Sequence, residues 1–206
     1  MNSVKFSKKY NPLFELLTCW EQYEKLTKLQ SLTNDQQQKL NYLNQLRKVD
    51  TVLISGGRDS GKSFALSCFN PIAVADYNHR VLYTRQTMAS TDNSISQALS
   101  NRMELLGLAT EFEFANNNYT LKDGRVGKIS ITGQKTSVGT QTAKLKSLED
   151  YSIFETDEGE ELENYESWLK IKRSMRAKDV QCLSIICFNP PTREDRKSTR
   201  LTPVTP

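Results

Sequence analysis

The residues with the clearest chemical meaning form one run: Gly56, Gly57, Arg58, Asp59, Ser60, Gly61, Lys62 and Ser63. The run fits G-x-x-x-x-G-K-[ST], a spacing typical of a loop that wraps around a phosphate group. Its glycines let the backbone approach the anion, and a following helix would point free N–H groups at it. Lys62 would neutralise the β- and γ-phosphates of a nucleotide, and the Ser63 hydroxyl would bind Mg²⁺. The apolar residues 52–54 before the run favour this interpretation over a plain glycine-rich turn.

Such a site also needs an acid for the metal, and residues 151–158 supply three carboxylates at the end of an apolar strand. Asp157 is a candidate for binding Mg²⁺, and Glu158 is a candidate for the base that orients and activates water. Two adjacent acids here favour hydrolysis over kinase chemistry. Glu155 competes for the metal role, because it shares a face with Asp157 if the strand continues. An acidic helix is a further alternative, since more glutamates follow.

A third candidate follows the apolar run Ile185–Phe188, where Asn189 precedes two prolines. Ligands of open α/β sheets bind at the carboxyl ends of the strands. Asn189 is therefore placed to sense a γ-phosphate or a water molecule. The alternative is a simple turn, because Asn-Pro commonly starts one.

Length and composition exclude several classes of protein. The 206 residues are 37% hydrophobic and 25% charged, as in an ordinary globular domain with a helical appendage. No apolar run approaches the roughly 18 residues of a membrane span, and the N-terminus lacks a secretory signal. Since the chain has one histidine and no CxxC pair, neither a zinc site nor Ser-His-Asp catalysis is expected. We expect free thiols in a reducing cytosol at Cys19, Cys68, Cys182 and Cys187.

The elements that must position these residues follow from the apolar periodicity. The predicted strands are Thr51–Ser55, Arg80–Thr84, Tyr151–Glu155 and Cys182–Phe188, and the predicted helices are 63–75, 92–106 and 160–176. This alternation is typical of an α/β fold with a mostly parallel sheet covered by helices. Residues 118–132 predict a β-hairpin insertion around Asp123-Gly124. Leucines at helical spacing over residues 12–48 predict an N-terminal helical hairpin.

Four segments together resemble a known family. In order they read GGRDSGKS, RVLYTRQT, KLKSLEDYSIFETDEGEEL and IICFNPP. They are similar to the ATPase half of a tailed-phage terminase large subunit, over roughly residues 50–191. The resemblance implies a P-loop NTPase fold, with ATP and Mg²⁺ as ligands, in a motor that packages viral DNA.

The resemblance also implies residue roles. The Walker B pair of the family falls on Asp157 and Glu158, and its coupling motif contains Asn189. Arg58 falls where the family has an arginine that approaches the γ-phosphate in the manner of a cis arginine finger. Two positions depart from the family pattern. Asp59 stands where glycine is commoner, which would weaken nucleotide affinity, and Gly159 stands where alanine is usual.

Three regions are expected along the chain: an N-terminal helical region over 1–49, the ATPase domain over 50–194, and a tail over 195–206. The ATPase domain is expected to be incomplete at its C-terminus, with no following nuclease domain and with strand 182–188 at or near an incompletely covered edge. The tail resembles one translated frame of a sequencing adapter, and we interpret it as artefactual or disordered.

The resemblance implies partners as well. These are double-stranded DNA bound without sequence preference, a portal protein, a small terminase subunit and further copies of the chain in a ring. No membrane partner is expected, and the host cell cytoplasm is the expected location. Residues 120–148 hold six Lys or Arg against one acid and are our candidate for following DNA phosphates.

Three other interpretations stay open on the sequence. A helicase or recombination ATPase would use the same loop with further motifs downstream. A small-molecule kinase would need an arginine-rich lid and no pair of acids. A chain that binds nucleotide without turning it over, or binds nothing, would be non-enzymatic.

Overall fold

The computed structural model describes residues 7–87, 94–135, 148–159, 165–177 and 180–189. Within these ranges a short 3₁₀ helix, Lys8–Tyr10, precedes the α-helices and strands. The α-helices are α1 (Asn11–Thr27), α2 (Asn34–Leu46), α3 (Lys62–Ala75), α4 (Ser94–Leu106) and α5 (Tyr165–Ser174). The strands are β1 (Thr51–Ser55), β2 (Arg80–Thr87), β3 (Phe112–Ala115), β4 (Asn118–Leu121), β5 (Lys128–Lys135), β6 (Ile153–Asp157) and β7 (Leu183–Phe188). The expected tail, 195–206, lies outside the described residues.

The seven strands form one sheet in the order β1-β7-β6-β2-β5-β4-β3. The first five are parallel, and β4 and β3 continue the sheet in antiparallel pairing. The predicted mostly parallel α/β sheet is therefore confirmed. Antiparallel pairing of β4 with β5 confirms the predicted hairpin, but β5 also pairs with β2, so the hairpin extends the main sheet. β3 was not predicted, because it is four residues long and largely exposed.

Strand 182–188, expected at or near an incompletely covered edge, is not itself an outer strand but lies next to one. β7 lies between β1 and β6, and the outer strands are β1 and β3. All residues of β7 except Phe188 are buried. Strands covered on both faces read as continuous apolar runs, and residues 183–188 form such a run. The hydrophobicity of this strand therefore reflects burial between two neighbouring strands and under helices on both faces of the sheet.

Helices cover both faces of the sheet. On one face, α1, α3 and α4 contribute to the larger apolar cluster, which includes Leu66, Phe69 and Leu99. On the other, Ile171 of α5 and Met175, which directly follows α5, pack with β-strand residues in a smaller cluster. Strand side chains alternate between the two clusters, as the pleat requires. None of the helices in the described ranges is long and apolar enough to cross a membrane.

The predicted N-terminal helical hairpin is present as α1 and α2. Leu13 and Leu17 of α1 lie in the larger cluster, so the hairpin shares the core of the sheet. α2 starts with a capping box, in which Thr33 and Gln36 each bind the other's backbone N–H. The buried Gln181 amide donates to the Val49 carbonyl at 2.6 Å and ties the hairpin to the segment before β7.

His79, which precedes β2, is buried, and its Nδ1 lies 2.9 Å from Ser152 Oγ. Burial lowers the pKa of the ring from 6.5 to about 4. At neutral pH the ring is therefore uncharged both in the folded protein and in most unfolded chains. The two states differ in proton binding between these two pKa values.

We expect this histidine to destabilise the fold in acid. As the pH falls from about 6.5 to about 4 the unfolded chain takes up a proton here and the folded chain does not, so stability is lost. The Tm of His79→Gln should therefore fall less than that of the wild type between about pH 7 and about pH 5. Ser152→Ala, which keeps the ring, should retain the wild-type slope. Equal slopes for wild type and His79→Gln would contradict the expectation.

Candidate active site

The ends of three neighbouring strands meet at one edge of the sheet. β1 runs into the loop 56–63, β6 ends at Asp157, and Asn189 follows β7. A cleft of about 470 Å³ opens there, lined by residues 57–64, Asp157, Glu158, Cys187, Phe188 and Asn189. The structure thus brings the predicted loop residues 57–63 together with Asp157, Glu158 and Asn189 around one cleft. Gly56, the first residue of the loop, is not among the lining residues.

The loop has the backbone conformation that its glycines allow. Gly61, the N-cap residue of α3, has φ +83°, and a Cβ on Gly56 would lie 2.7 Å from Ser60 Oγ. Asp59 has φ +60°, in the left-handed region where glycine is unstrained and aspartate is tolerated. This backbone conformation gives a reason why glycine suits position 59. The Asp59 side chain is exposed at the mouth of the cleft.

The Lys62 side chain turns back over the loop. It is buried, and its ammonium donates to the Gly56 carbonyl and, at 3.1 Å, to the Gly57 carbonyl. It also donates to Asn189 Oδ1 at 3.1 Å. The loop lysine therefore contacts the residue that follows β7, and the two predicted groups form one hydrogen-bonded unit.

Ser63 and Asp157 form the second contact of the site. Ser63 Oγ donates to Asp157 Oδ2 at 3.2 Å, and the hydroxyl of the buried Tyr83 lies 3.5 Å from the same oxygen. A hydroxyl and a carboxylate facing a phosphate-sized cleft suit Mg²⁺, which prefers oxygen ligands and keeps several waters. Among the described residues no group of three His, Cys, Asp or Glu could hold a metal by itself. These donors fit an ion shared with a phosphate ligand.

A family model described as phage terminase large subunit matches residues 48–200. This chain belongs to that family. The matched range includes the loop 56–63 and both strand ends that complete the cleft. No relative was found among curated protein sequences.

A solved structure is similar as well. The large terminase of a thermophilic bacteriophage superimposes with a TM-score of 0.56 at 16% sequence identity. The similarity covers 89% of this chain and 39% of that chain, so this terminase chain spans well under half the length of the thermophilic phage protein. The shared feature is the fold, which agrees with the predicted α/β ATPase architecture.

The departure from the terminase pattern at Gly159 has a structural reason. A Cβ at Gly159 would lie 2.3 Å from Ile186 Cγ2 and 3.0 Å from the Cys187 carbonyl oxygen, so an alanine does not fit against β7. The preceding Glu158 has φ +83° and lines the cleft. Non-glycine residues in this backbone region cluster at functional sites. The close approach of Gly159 to β7 therefore occurs next to a strained backbone at Glu158, the candidate base.

Glu155, the competing acid, lies away from the cleft. It is fully buried, and neither carboxylate oxygen has a hydrogen-bond partner among the residues that the structure describes. Burial raises its pKa to about 8, an effect that the nearby Asn70 amide opposes and the Asp157 charge adds to. Glu155 is therefore mostly protonated at neutral pH, whereas Asp157 faces the cleft. The geometry favours Asp157 for the metal role.

The remaining predicted groups are less constrained. Arg58 is exposed at the mouth of the cleft, and no hydrogen bond or ion pair holds its side chain within the described ranges. In the basic stretch 120–148, Arg125 Nε is 2.7 Å from Asp123 Oδ2 and its guanidinium also donates to the Ala75 carbonyl. Residues 136–147 lie outside the described residues. DNA contact by this stretch stays a prediction.

Two contacts of the terminase loop were missed in the sequence. Lys9 and Tyr10 of the 3₁₀ helix both donate to the Ser60 carbonyl. About fifty residues separate the partners, and no local pattern marks such a contact. Tyr83 was also missed, although its alternation with Leu82 in β2 would have placed it on the face of the larger cluster.

Proposed function

We propose that this chain carries the ATP-hydrolysing domain of a viral DNA-packaging motor. The observation that supports this most directly is the meeting of loop 56–63, Asp157, Glu158 and Asn189 around one cleft. Each of these groups has a place in phosphoryl transfer to water. Membership of the terminase large subunit family supplies the biological setting.

The loop and Lys62 are the groups that we assign to phosphate binding. The N-terminus of α3 presents backbone N–H groups to an anion in the cleft. The Lys62 ammonium, which is held by the Gly56 and Gly57 carbonyls and by Asn189, lies within the same cleft and can exchange one of these contacts for a phosphate oxygen. A charge-assisted hydrogen bond of this kind is stronger than one between neutral groups.

Ser63 and Asp157 would hold Mg²⁺, which when bound supplies positive charge that neutralises the phosphates and the leaving group. Asp157 is kept in place by the Ser63 hydroxyl, which donates to both of its carboxylate oxygens, at 3.4 and 3.2 Å. Because Asp157 is buried at the end of a central strand, its carboxylate is aimed at the cleft by the sheet itself. The same strand end places Glu158 beside it.

Glu158 is the group that we assign to the attacking water. Its carboxylate orients the water and accepts its proton as the oxygen attacks the γ-phosphorus and the bond to the β–γ bridging oxygen breaks. Arg58 can reach the γ-phosphate, since nothing in the described structure holds its side chain elsewhere. We assign Asn189 to sensing the change in charge on hydrolysis, because it accepts a hydrogen bond from Lys62, the cation that would contact the phosphate.

The partners of the motor follow from the family alone. We propose sequence-independent binding of double-stranded DNA, assembly into a homo-oligomeric ring, and docking to a portal protein and a small terminase subunit in the host cytoplasm. The similarity to the large terminase of the thermophilic phage covers 39% of that protein's length.

The test is saturable binding of ATP with Mg²⁺ by calorimetry, followed by phosphate release with and without double-stranded DNA. We expect ATP to bind and to be hydrolysed. Binding without any release, with or without DNA, would reduce the function to nucleotide binding. Absence of saturable binding at millimolar ATP would remove the proposed function.

A further inference from the structure

The N-terminal 3₁₀ helix reaches the phosphate-binding loop from behind. Lys9 Nζ donates to the Ser60 carbonyl oxygen at 2.8 Å, and the Tyr10 hydroxyl donates to the same oxygen at 3.0 Å. The Tyr10 ring also lies beside the next residue, since a Cβ on Gly61 would be 3.9 Å from its Cε2 atom. Both acceptor positions of one loop carbonyl are thus occupied by the N-terminal region.

Tyr10 is held by a well-packed part of the fold. Its side chain is only 7% exposed, and it directly precedes α1, which packs into the main core. Phe14 of α1 contacts Phe69 of α3 edge to face, with ring centroids 5.7 Å apart. Since α3 is the helix that begins at the loop, the Tyr10 hydroxyl is positioned relative to the same element that presents the phosphate-binding N–H groups.

The two hydrogen bonds orient one peptide unit of the loop. In a planar trans peptide the carbonyl and the following N–H point in opposite directions. Holding the Ser60 carbonyl toward the N-terminal region therefore directs the Gly61 N–H the other way, and Gly61 lines the cleft. Gly61, with φ +83°, sits in a segment that loses much backbone freedom when it wraps around an anion. A loop that is already held in this conformation loses less conformational entropy when the anion binds.

We propose that Lys9 and Tyr10 are positioning residues that hold the Ser60–Gly61 peptide in its phosphate-binding orientation. The N-terminal region thereby sets the affinity of the loop for the polyphosphate part of the nucleotide. The inference rests on the proposed nucleotide binding. A loop that is already in its phosphate-binding conformation stabilises the bound substrate and the transition state equally. Losing these two contacts should therefore raise KM and leave kcat nearly unchanged.

The experiment uses the full 206-residue chain with Tyr10→Phe, which keeps the buried ring, and Lys9→Met, which keeps the aliphatic stem. We expect each to raise the Kd for ATP with Mg²⁺ by about 3- to 10-fold, the effect of one lost hydrogen bond. KM should rise in the same ratio at near wild-type kcat, and Lys9→Arg should restore most of the affinity. Inorganic pyrophosphate, as a competing probe, should lose affinity by the same factor as ATP.

Two matched variants serve as controls. Tyr42→Phe removes a tyrosine hydroxyl whose only described partner is Glu15, 2.6 Å away on the helical hairpin. Lys8→Met removes the neighbouring exposed ammonium, for which no side-chain contact is described. Both should bind ATP and pyrophosphate like the wild type. The thermal midpoint of each variant without nucleotide checks that the fold is intact.

The outcomes separate this inference from the proposed function. If the wild type binds ATP and the Lys9 and Tyr10 variants match it, only this inference is overturned. Weaker ATP binding with unchanged pyrophosphate binding would also overturn it, because the two side chains would then act on the base or ribose. A wild type that binds neither ligand would remove the proposed function, and this inference with it.

Discussion

Alanine in place of Lys62 is expected to abolish ATP hydrolysis and to weaken ATP binding by about 100-fold or more, the scale on which single preorganised charge-stabilising groups act. The Lys62 ammonium is buried over the loop among four acceptors, including the Gly57 carbonyl and Asn189. Arg58 is the only other cation of the loop, and its exposed position at the mouth does not replace a buried ammonium. Phosphate release and calorimetric binding measure the two effects.

Lys39→Ala is the matched control for this variant. Lys39 is exposed on α2, and no side-chain contact of it is described. Its replacement should leave both binding and turnover unchanged. The unfolding midpoint of Lys62→Ala should be recorded as well, because the variant leaves loop carbonyls without their donor. Hydrolysis by Lys62→Ala at a near wild-type rate would remove the assignment of residues 56–63 as the nucleotide site.

The second large effect is expected at the acid pair. Glu158→Gln should bind ATP with Mg²⁺ like the wild type while hydrolysis falls by about 100-fold or more, the effect of a lost general base. Asp157→Asn should instead weaken the binding that depends on Mg²⁺, because Asp157 and Ser63 are the oxygen donors that meet in the cleft. Titrations with and without Mg²⁺, alongside single-turnover hydrolysis, distinguish the two variants.

Glu155→Gln is the internal control for the pair. Since burial raises the pKa of Glu155 to about 8, the side chain is mostly uncharged at pH 7, and glutamine reproduces its shape and charge. We expect binding and hydrolysis to stay close to wild type. If Glu155→Gln lost either activity while Asp157→Asn and Glu158→Gln kept both, the assignment of roles along β6 would be wrong.

Local chemistry determined much of this protein in advance. The strand Thr51–Ser55, the loop 56–63 and the start of α3 were predictable, because glycine spacing and short-range apolar periodicity depend on neighbouring residues only. The same holds for the two helices of the N-terminal hairpin, whose boundary is marked by the capping box at Thr33. The candidate residues Asp157, Glu158 and Asn189 were found for a related reason, since polar groups that end apolar strands lie at the ligand-binding edge of a parallel sheet.

The tertiary structure decided what depends on residues far apart in the chain. Strand order places β7 between β1 and β6, and only this order brings Asn189 within 3.1 Å of Lys62, 127 residues away. Alternation along β6 left Glu155 and Asp157 equivalent. In the folded chain both are buried, but only Asp157 lines the cleft. The contacts of Lys9 and Tyr10 with Ser60 arise because α1 packs against α3. Such contacts cannot be predicted from local sequence patterns. The partners are far apart in the chain and meet only because whole helices and strands pack against one another.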